Sequence, residues 1–459
     1  MSPEYRSPSP GRGEGDGRGG QGVRSRTVEA DWTWTGSRFE SGIQLRVGDD
    51  GKIEAVGALG EAPDLRLSGR ALLPGMVSAH SHAFQRGLRG HGETFPQGSG
   101  SFWTWRRAMY DLVGSLDATT FESLCLQCFR EMRAAGITTV GEFHYFHHRE
   151  EGPDAADYAF DEIVLRAAAR AGLRIALLQS YYRTGAIGQP LEGPQRRFNS
   201  PSPAVYWEQM ERLAGLLDPR RQSLGASVHS IRAASLEDLA AVYDEARRRD
   251  LVFHIHVEEQ RREIEDSLAF YGKRPMALLL ETLGTATDIT AVHCTHTDAE
   301  DMERFLAGGG TVCLCPLTEG NLGDGIAAAP RAHPASGAFC LGSDSNARIS
   351  HIEEMRWLEY AQRLATERRG VLRDDIGNVS KILFDAATVD GARALGVEAG
   401  RLEPGLWADL VTINLDAPAL AGWTPETLLE SVIFGATEEV VVATAVGGEW
   451  VEHREKTRT

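Results

Sequence analysis

Eight short apolar segments alternate with amphipathic helical stretches between about residues 75 and 395, and this alternation constrains the fold most. Near-continuous apolar runs are typical of parallel strands that are buried on both faces. The strand candidates are the run from Arg70 to Val77 that leads into His80-Ser81-His82, and residues 136–144, 174–181, 224–230, 251–259, 289–296, 311–316 and 338–344. The pattern predicts an α/β fold, a (β/α)8 TIM-type barrel. The alternative, an open doubly wound sheet, is disfavoured because no glycine-rich phosphate loop follows any of these strands.

The two ends of the chain have a different pattern. Residues 27–74 and 396–455 contain short alternating strands, with an Asp-Asp-Gly turn at 49–51, and we expect them to form one small β-sandwich domain beside the barrel of residues 75–395. Residues 1–26 are rich in Gly, Pro, Ser and Arg and hold almost nothing apolar. Such a segment cannot offset its ordering entropy by burial, so we expect a disordered tail.

Composition narrows the class of partner. A formal charge of −17 over 459 residues argues against nucleic acid and against anionic membranes. The six cysteines are few and scattered, which favours free thiols in a reducing cytoplasm over a disulfide scaffold. Because no apolar run reaches about 20 residues and no secretory segment is recognisable, the sequence predicts neither a membrane span nor export.

Polar residues that can bind a metal or a substrate follow nearly every predicted strand. His80 and His82 are two residues apart, so on a strand both imidazoles face the same side. The other strand-end groups are Glu142, His144, Tyr145, His229, Arg232, His254, His256, Glu259, His293, His296 and Asp344. The C-terminal ends of barrel strands meet at one rim, so these groups are expected to converge. A lone His-x-His is more often structural, but this many strand-end ligands favours a metal site.

The motifs PGMVSAHSH, HVEE, AVHCTH and LGSDS resemble those of the amidohydrolase superfamily. The resemblance implies a barrel whose metal is held by His80, His82, His256 and Asp344, while His293 faces the substrate or the attacking water. Members with two metals typically need a carboxylated lysine on the fourth strand, and no lysine occurs between Lys52 and Lys273. One divalent ion is therefore expected, and a site of three histidines and one aspartate suits Zn²⁺, although iron and manganese stay open.

The spacing from His256 to Glu259 resembles the HxxE of the superfamily's deaminases, in which this glutamate shuttles protons. A divalent metal lowers the pKa of a bound water to about 7, so Asp344 can take the proton of that water and Glu259 can protonate the leaving nitrogen. Strand alternation alone leaves open whether Glu258 or Glu259 points inward. We expect Glu258 and Glu263 to be exposed.

A narrower resemblance lies in HSHAFQR, FWTWR, GEFHYFHH, HSIRA, HIHVEEQ and GSDSN, which are similar to the N-formimino-L-glutamate deiminase family of histidine degradation. This resemblance implies a cytoplasmic homodimer that hydrolyses the formimino C=N of N-formimino-L-glutamate, giving N-formyl-L-glutamate and ammonia. It also implies substrate contacts by Gln85, Arg106, Tyr145, His229 and Arg232. Two arginines suit an anionic small molecule with two carboxylates, because a guanidinium binds a carboxylate through two parallel hydrogen bonds.

Each interpretation has an alternative. Arg106 could merely stack on Trp103 or Trp105, and Arg232 could cap a helix or pair with Glu237. His147 and His148 are expected at the surface. At the level of function, the alternatives are another deaminase of the superfamily, acting on a heterocyclic, guanidino or other formimino substrate, and a non-catalytic barrel used for binding.

Overall fold

A computed structural model describes residues 26–91, 93, 95, 98, 100–150, 157–284, 288–329 and 339–453. The predicted disordered tail lies outside these residues, except for Arg26, which begins the first strand. The first five strands are β1 (Arg26–Trp34), β2 (Phe39–Glu40), β3 (Gln44–Val47), β4 (Ile53–Gly57) and β5 (Leu65–Pro74).

Eight parallel strands follow and pair in sequence order: β6 (Met76–Ser81), β7 (Ile137–His144), β8 (Arg174–Tyr181), β9 (Gln222–Val228), β10 (Phe253–Val257), β11 (Ile289–His293), β12 (Thr311–Leu314) and β13 (Phe339–Leu341). The last and first strands meet where Ser343 and Asp344 donate their backbone N–H groups to the carbonyl of His80, and where His82 N–H donates to the carbonyl of Asp344. The ring of strands closes there, so the predicted (β/α)8 barrel is confirmed.

Helices separate the barrel strands and surround them. They are α1 (Phe102–Ser115), α2 (Ala118–Ala134), α3 (Ala159–Ala171), α4 (Pro203–Ala214), α5 (Leu236–Arg248), α6 (Arg261–Tyr271), α7 (Pro275–Leu283), α8 (Ala299–Ala307), α9 (Pro316–Leu322), α10 (His351–Thr366), α11 (Val379–Ala386), α12 (Val389–Ala394) and α13 (Leu428–Gly435). Side-chain caps define several starts: Ser235 accepts a hydrogen bond from the N–H of Asp238 at the start of α5. None of the helices in the described part of the chain has both the length and the apolar character needed to span a bilayer.

Three C-terminal strands complete a second sheet: β14 (Leu410–Asn414), β15 (Val441–Val446) and β16 (Glu449–Glu452). The strand order is β16-β15-β14-β5-β1-β3-β4, with β2 paired to β1. The two ends of the chain therefore join in one hydrogen-bonded sheet, as the sequence pattern indicated. Its own small core includes Val28, Leu45, Ile53 and Leu410.

The apolar run from Arg70 to Val77 is divided between the two sheets, whereas we expected one strand. β5 ends at Pro74 in the second sheet, and β6 begins at Met76 in the barrel. Gly75 lies between them, and a Cβ atom there would fall 2.1 Å from the Thr138 Oγ1. Both strands are apolar because both are buried, so hydrophobicity alone could not mark the boundary.

A buried ion pair joins the second sheet to the barrel. The Arg174 Nε donates to Asp409 Oδ2 at 2.6 Å and its Nη2 donates to Asp409 Oδ1 at 3.0 Å. The guanidinium also lies over the Trp407 ring, 4.2 Å from its centroid. Because Arg174 is the first residue of β8, the second sheet contacts the barrel near the N-terminal ends of its strands. The opposite rim is left for a functional site.

Candidate active site

Three histidine side chains converge at the C-terminal ends of β6 and β10. The Nε2 atoms of His80, His82 and His256 lie 3.2 Å (His80 to His82), 3.4 Å (His82 to His256) and 3.1 Å (His256 to His80) apart. Alternation along β6 places His80 and His82 on one face, and parallel strand pairing brings β10 to the same rim. All three rings are buried.

Hydrogen bonds on the far side of two rings define which nitrogen faces the cluster. His82 Nδ1 and His256 Nδ1 each lie 2.8 Å from a backbone carbonyl oxygen, that of Phe143 and that of His229 respectively. A carbonyl only accepts, so each Nδ1 carries the proton and each Nε2 directs a lone pair into the cluster. Burial lowers the pKa of all three histidines, to about 3 for His82, which keeps the rings neutral. Lone pairs that face one another fit a cation between them.

Asp344 supplies the fourth group. Its Oδ1 lies 3.4 Å from the Nε2 atoms of both His80 and His82. Four ligands about 2.0–2.1 Å from a tetrahedral zinc ion lie about 3.4 Å from one another. Burial opposes ionisation of Asp344, but the histidines around it hold its pKa below the usual range, so it is a carboxylate. The three histidines have the spacing of ligands around one divalent metal, and Asp344 has that spacing toward His80 and His82. Three neutral imidazoles and a carboxylate also suit such an ion chemically.

His293 and Glu259 lie beside this cluster. The His293 Nε2 is 3.8 Å from Glu259 Oε1 and 3.7 Å from Asp344 Oδ2, and its Nδ1 is 3.4 Å from Glu319 Oε1. Burial alone would lower the pKa of His293, but these carboxylates raise it to about 10. Burial and the Asp344 charge raise the pKa of Glu259, while His293 opposes the rise. A proton can therefore be held on or moved between these side chains.

The backbone explains why Glu259 faces the cluster. β10 ends at Val257, and Glu258 adopts a left-handed conformation with φ +52°. The strand alternation is broken there, so Glu258 turns to the Arg274 side chain (3.1 Å) and to the N–H of Met276, while Glu259 lines the pocket. Asp344 also has a positive φ, +44°, as residues at functional sites often do.

A pocket opens over the cluster of His80, His82, His256 and Asp344. All of the predicted site residues except His80 line it, and His80 lies buried beneath. The lining residues are His82, Gln85, Phe102, Trp105, Arg106, Met109, Tyr110, Tyr145, Tyr182, Phe198, His229, Arg232, His256, Glu259, His293, Leu322 and Asp344.

Both predicted arginines border this pocket, on different elements. Arg106 lies on α1 and stacks on Trp103 and Tyr110, with 5.3 Å from its guanidinium carbon to each ring centroid. The stacking that we considered as the alternative therefore coexists with a position on the pocket wall. Arg232 follows β9 and lies near Glu263, not Glu237, with 3.8 Å between Arg232 Nε and Glu263 Oε1.

Comparison with known proteins decides the family. The model of the amidohydrolase family matches residues 71–451. The chain belongs to the amidohydrolase family. It is 38% identical over 412 residues to a formimidoylglutamate deiminase of Pseudomonas aeruginosa. The aligned region covers 89% of this chain and 90% of that protein.

Three further proteins are similar to the chain at lower sequence identity. A 5-methylthioadenosine/S-adenosylhomocysteine deaminase of Syntrophomonas wolfei is 28% identical, covering 84% of this chain and 82% of that protein. The crystal structure of an amidohydrolase from Brucella melitensis superposes with a TM-score of 0.83 at 32% identity, over 93% of this chain and 94% of that one. An adenosine deaminase from Xanthomonas campestris with bound zinc has the same fold, with a TM-score of 0.76 at 22% identity, over 94% and 93%.

Four expectations about this amidohydrolase's burial were wrong. Glu258 and Glu263 are buried, and so are His147 and His148. His147 Nδ1 lies 2.9 Å from Asp161 Oδ1, and its Nε2 lies 2.9 Å from the carbonyl oxygen of Ser180. Since these partners come from α3 and β8, the local sequence gave no sign of them.

Sequence reasoning also missed part of the pocket wall. Tyr110, Tyr182 and Phe198 line the pocket, and Glu319 contacts His293. Tyr182 directly follows β8, a predicted strand to whose end we assigned no site residue, so the strand-end rule could have found it. Phe198 and Tyr110 lie outside strand ends, and nothing in their local pattern separates them from ordinary core aromatics.

Proposed function

We propose that this amidohydrolase is a metal-dependent deiminase that converts N-formimino-L-glutamate and water into N-formyl-L-glutamate and ammonia, a step of histidine degradation. The observation that carries the proposal is the pairing of Arg106 and Arg232 on the walls of a pocket whose floor is the metal-ligand cluster. The similarity to the formimidoylglutamate deiminase of Pseudomonas aeruginosa over most of both chains supports the same substrate.

The proposed metal centre holds one divalent ion, preferably Zn²⁺, on His80, His82, His256 and Asp344. Three neutral imidazoles and one carboxylate are a donor set that zinc accepts, and they match the spacing of a tetrahedral ion. When bound, such an ion acts as a Lewis acid and lowers the pKa of a water to about 7.

In the proposed mechanism the protein's own side chains orient the substrate and move its protons. Arg106 and Arg232 bind the two carboxylates, and Gln85, whose Nε2 donates to the Tyr145 hydroxyl at 2.8 Å, contacts the substrate together with Tyr145 and His229. The aromatic rings of the pocket wall exclude bulk water, which strengthens these charge contacts.

The reaction adds water across the formimino C=N bond. Asp344 accepts a proton from the attacking water as its oxygen bonds to the formimino carbon, and His293 stabilises the developing charge. Glu259 delivers a proton to the imino nitrogen, and the proton held by Asp344 then passes to the same nitrogen. The C–N bond breaks as the proton of the new hydroxyl returns to Glu259, so that ammonia departs and the carbonyl of the product forms. The raised pKa of Glu259 favours the protonated form that this last step needs.

A second candidate function is deamination of a heterocyclic base. The aromatic wall formed by Tyr110, Tyr182 and Phe198 and the similarity to 5-methylthioadenosine/S-adenosylhomocysteine deaminases favour it. Two arginines at the pocket favour the dicarboxylate instead, because an uncharged ring offers neither guanidinium a carboxylate to bind.

Ammonia release separates the two candidates. The purified protein is incubated with N-formimino-L-glutamate or with adenosine and 5-methylthioadenosine, before and after chelation. We expect ammonia from the first substrate only, and only with metal present. Turnover of the nucleosides alone, or no ammonia from N-formimino-L-glutamate at full metal occupancy, would overturn the proposal.

Three further expectations belong to the same proposal. The barrel of residues 75–395 is the catalytic unit, and residues 27–74 with 396–455 form a supporting domain. The protein acts in the cytoplasm as a homodimer. Size-exclusion chromatography with light scattering tests the dimer, and localisation of a tagged protein tests the compartment.

A further inference from the structure

Glu263 is a buried carboxylate that no part of the proposed mechanism uses. It lies in the first turn of α6 with 1% of its surface exposed. Among the described residues, neither of its carboxylate oxygens has a hydrogen-bond partner, and the same holds for the Nε of Arg232, 3.8 Å from Glu263 Oε1. The Glu263 carboxylate and the Arg232 guanidinium thus face each other beside the pocket. Neither the Glu263 oxygens nor the Arg232 Nε has a hydrogen-bond partner among the described residues.

Glu359 is a buried glutamate whose two carboxylate oxygens both accept hydrogen bonds. The carboxylate of Glu359 accepts bonds from the backbone N–H groups of Val371 and Leu372 and from Arg363. A buried polar group without such bonds lowers stability, so its presence in a native structure points to a function. Glu263 is therefore unlike a glutamate that serves packing alone.

The position of Glu263 relates it to the substrate through Arg232. Arg232 lines the pocket, whereas Glu263 is not among the lining residues. Glu259 and Glu258 add negative charge near Glu263, and Arg232 and His293 oppose it. Burial raises the pKa of Glu263 to about 7, so its carboxylate is largely ionised at pH 8.

We propose that Glu263 is a positioning residue that holds Arg232 by its Nε side, so that the two Nη groups are directed at a carboxylate of the substrate. This inference rests on the proposed function and adds to it the residue that orients one carboxylate anchor. A guanidinium has five donors in a fixed plane, so fixing one edge of the plane fixes the direction of the other. Loss of Glu263 frees that plane without removing the cation.

Steady-state kinetics at pH 8 test this role with Glu263→Gln, Arg232→Gln, the double variant and Glu359→Gln as the buried control. Glu263→Gln is nearly isosteric, and thermal unfolding checks that it folds. We expect KM for N-formimino-L-glutamate to rise about tenfold with kcat changed less than about twofold, because the misdirected Arg232 loses about one charge-assisted hydrogen bond to the substrate carboxylate. In the Arg232→Gln background Glu263→Gln should add nothing, because the residue acts through the arginine.

Calorimetric binding of glutarate to the metal-loaded protein gives a readout that does not need turnover. Glutarate carries two carboxylates and no formimino group, and we expect Glu263→Gln to weaken its binding about tenfold while Glu359→Gln does not. Unchanged KM and glutarate affinity in Glu263→Gln, or full additivity with Arg232→Gln, would overturn the inference. Absence of ammonia from the wild-type protein would instead refute the proposed function, and glutarate binding would still decide the role of Glu263.

Discussion

The Nε2 atoms of His80 and His256 lie 3.1 Å apart, although 176 residues separate these histidines in the chain. Our proposal is that a divalent cation shared by these rings stabilises the arrangement. We expect one metal equivalent per chain by elemental analysis. Chelation should abolish ammonia release and lower the melting temperature, since a ligand that binds only the folded state stabilises it. Full activity in protein verified to be metal-free would contradict this assignment.

Replacement of Glu259, the proposed proton donor, should lower the rate of the reaction without lowering the metal content of the protein. Glu259→Gln keeps the size of the side chain but cannot protonate a leaving nitrogen. We expect kcat to fall by roughly 10²–10⁴-fold while the metal content stays at one equivalent. Stopped ammonia assays and elemental analysis of the same preparation measure both. Turnover near the wild-type value would assign the proton transfer to another group, such as His293, whose Nε2 lies 3.8 Å from Glu259 Oε1.

If Arg106 binds a carboxylate of the substrate, its replacement should weaken the binding of charged substrates more than that of uncharged ones. Arg106→Ala should raise KM for N-formimino-L-glutamate by about 10–100-fold, because a charge-assisted bond to a carboxylate is lost. The effect on an uncharged formamidine should be small. The neighbouring and exposed Arg107 provides the control, and Arg107→Ala should leave both substrates nearly unaffected. Equal losses for charged and uncharged substrates would show that Arg106 supports the pocket wall rather than the substrate.

The ion pair between the two sheets should matter for stability. Asp409→Ala leaves the buried Arg174 without its anion, and we expect the free energy of unfolding to fall by about 3–5 kcal/mol. The exposed pair of Arg212 and Glu162 is the control, since Glu162→Ala should cost less than about 1 kcal/mol. Urea denaturation measures both. A loss for Asp409→Ala as small as that of the control would mean that the sheet is held by apolar packing alone.

The buried carboxyl of Glu142 should make the free energy of unfolding depend on pH. Burial raises the pKa of its carboxyl to about 8 in the folded protein, while it accepts a hydrogen bond from the N–H of Ala83 at 2.6 Å. The folded state therefore keeps a proton that the unfolded state loses near pH 4.5, so this group's contribution to stability falls as pH rises from about 4.5 to about 8.

Glu142→Gln tests this dependence because it cannot titrate and retains an acceptor for Ala83. Relative to wild type, the variant should gain stability steadily between about pH 5 and pH 8 in urea denaturation. Parallel stability curves for the two proteins across that range would show that the folded-state pKa is close to the ordinary value.

The barrel could be predicted because each of its strands is a short apolar run. The convergence of the histidines and acids at one rim could be predicted because they follow those runs. Strand ends were placed too late along the chain where the backbone turns left-handed, at Glu258 (φ +52°) and at His293 (φ +70°). Such turns depend on hydrogen bonds to neighbouring strands, which alternation of residue types does not encode.

Burial of charged residues could not be predicted from local pattern. His147 looks like a surface residue until Asp161, on a helix that packs beside it, supplies the carboxylate that satisfies it. Glu263 is buried beside Arg232, which lies 31 positions earlier in the chain. In both cases a partner from another element makes burial tolerable, and a single sequence does not show which elements will meet.

The seam of the barrel joins His80 and Asp344, because Asp344 N–H donates to the His80 carbonyl at 3.1 Å. During synthesis more than 260 further residues must therefore be added after His80 and His82 before Asp344 leaves the ribosome. A chain that ends before Asp344 lacks both the hydrogen bonds that close the barrel at His80 and the proposed carboxylate ligand. If the proposed ion binds at these residues, its tight binding requires that the last strand has joined the barrel, so an incomplete barrel would be inactive.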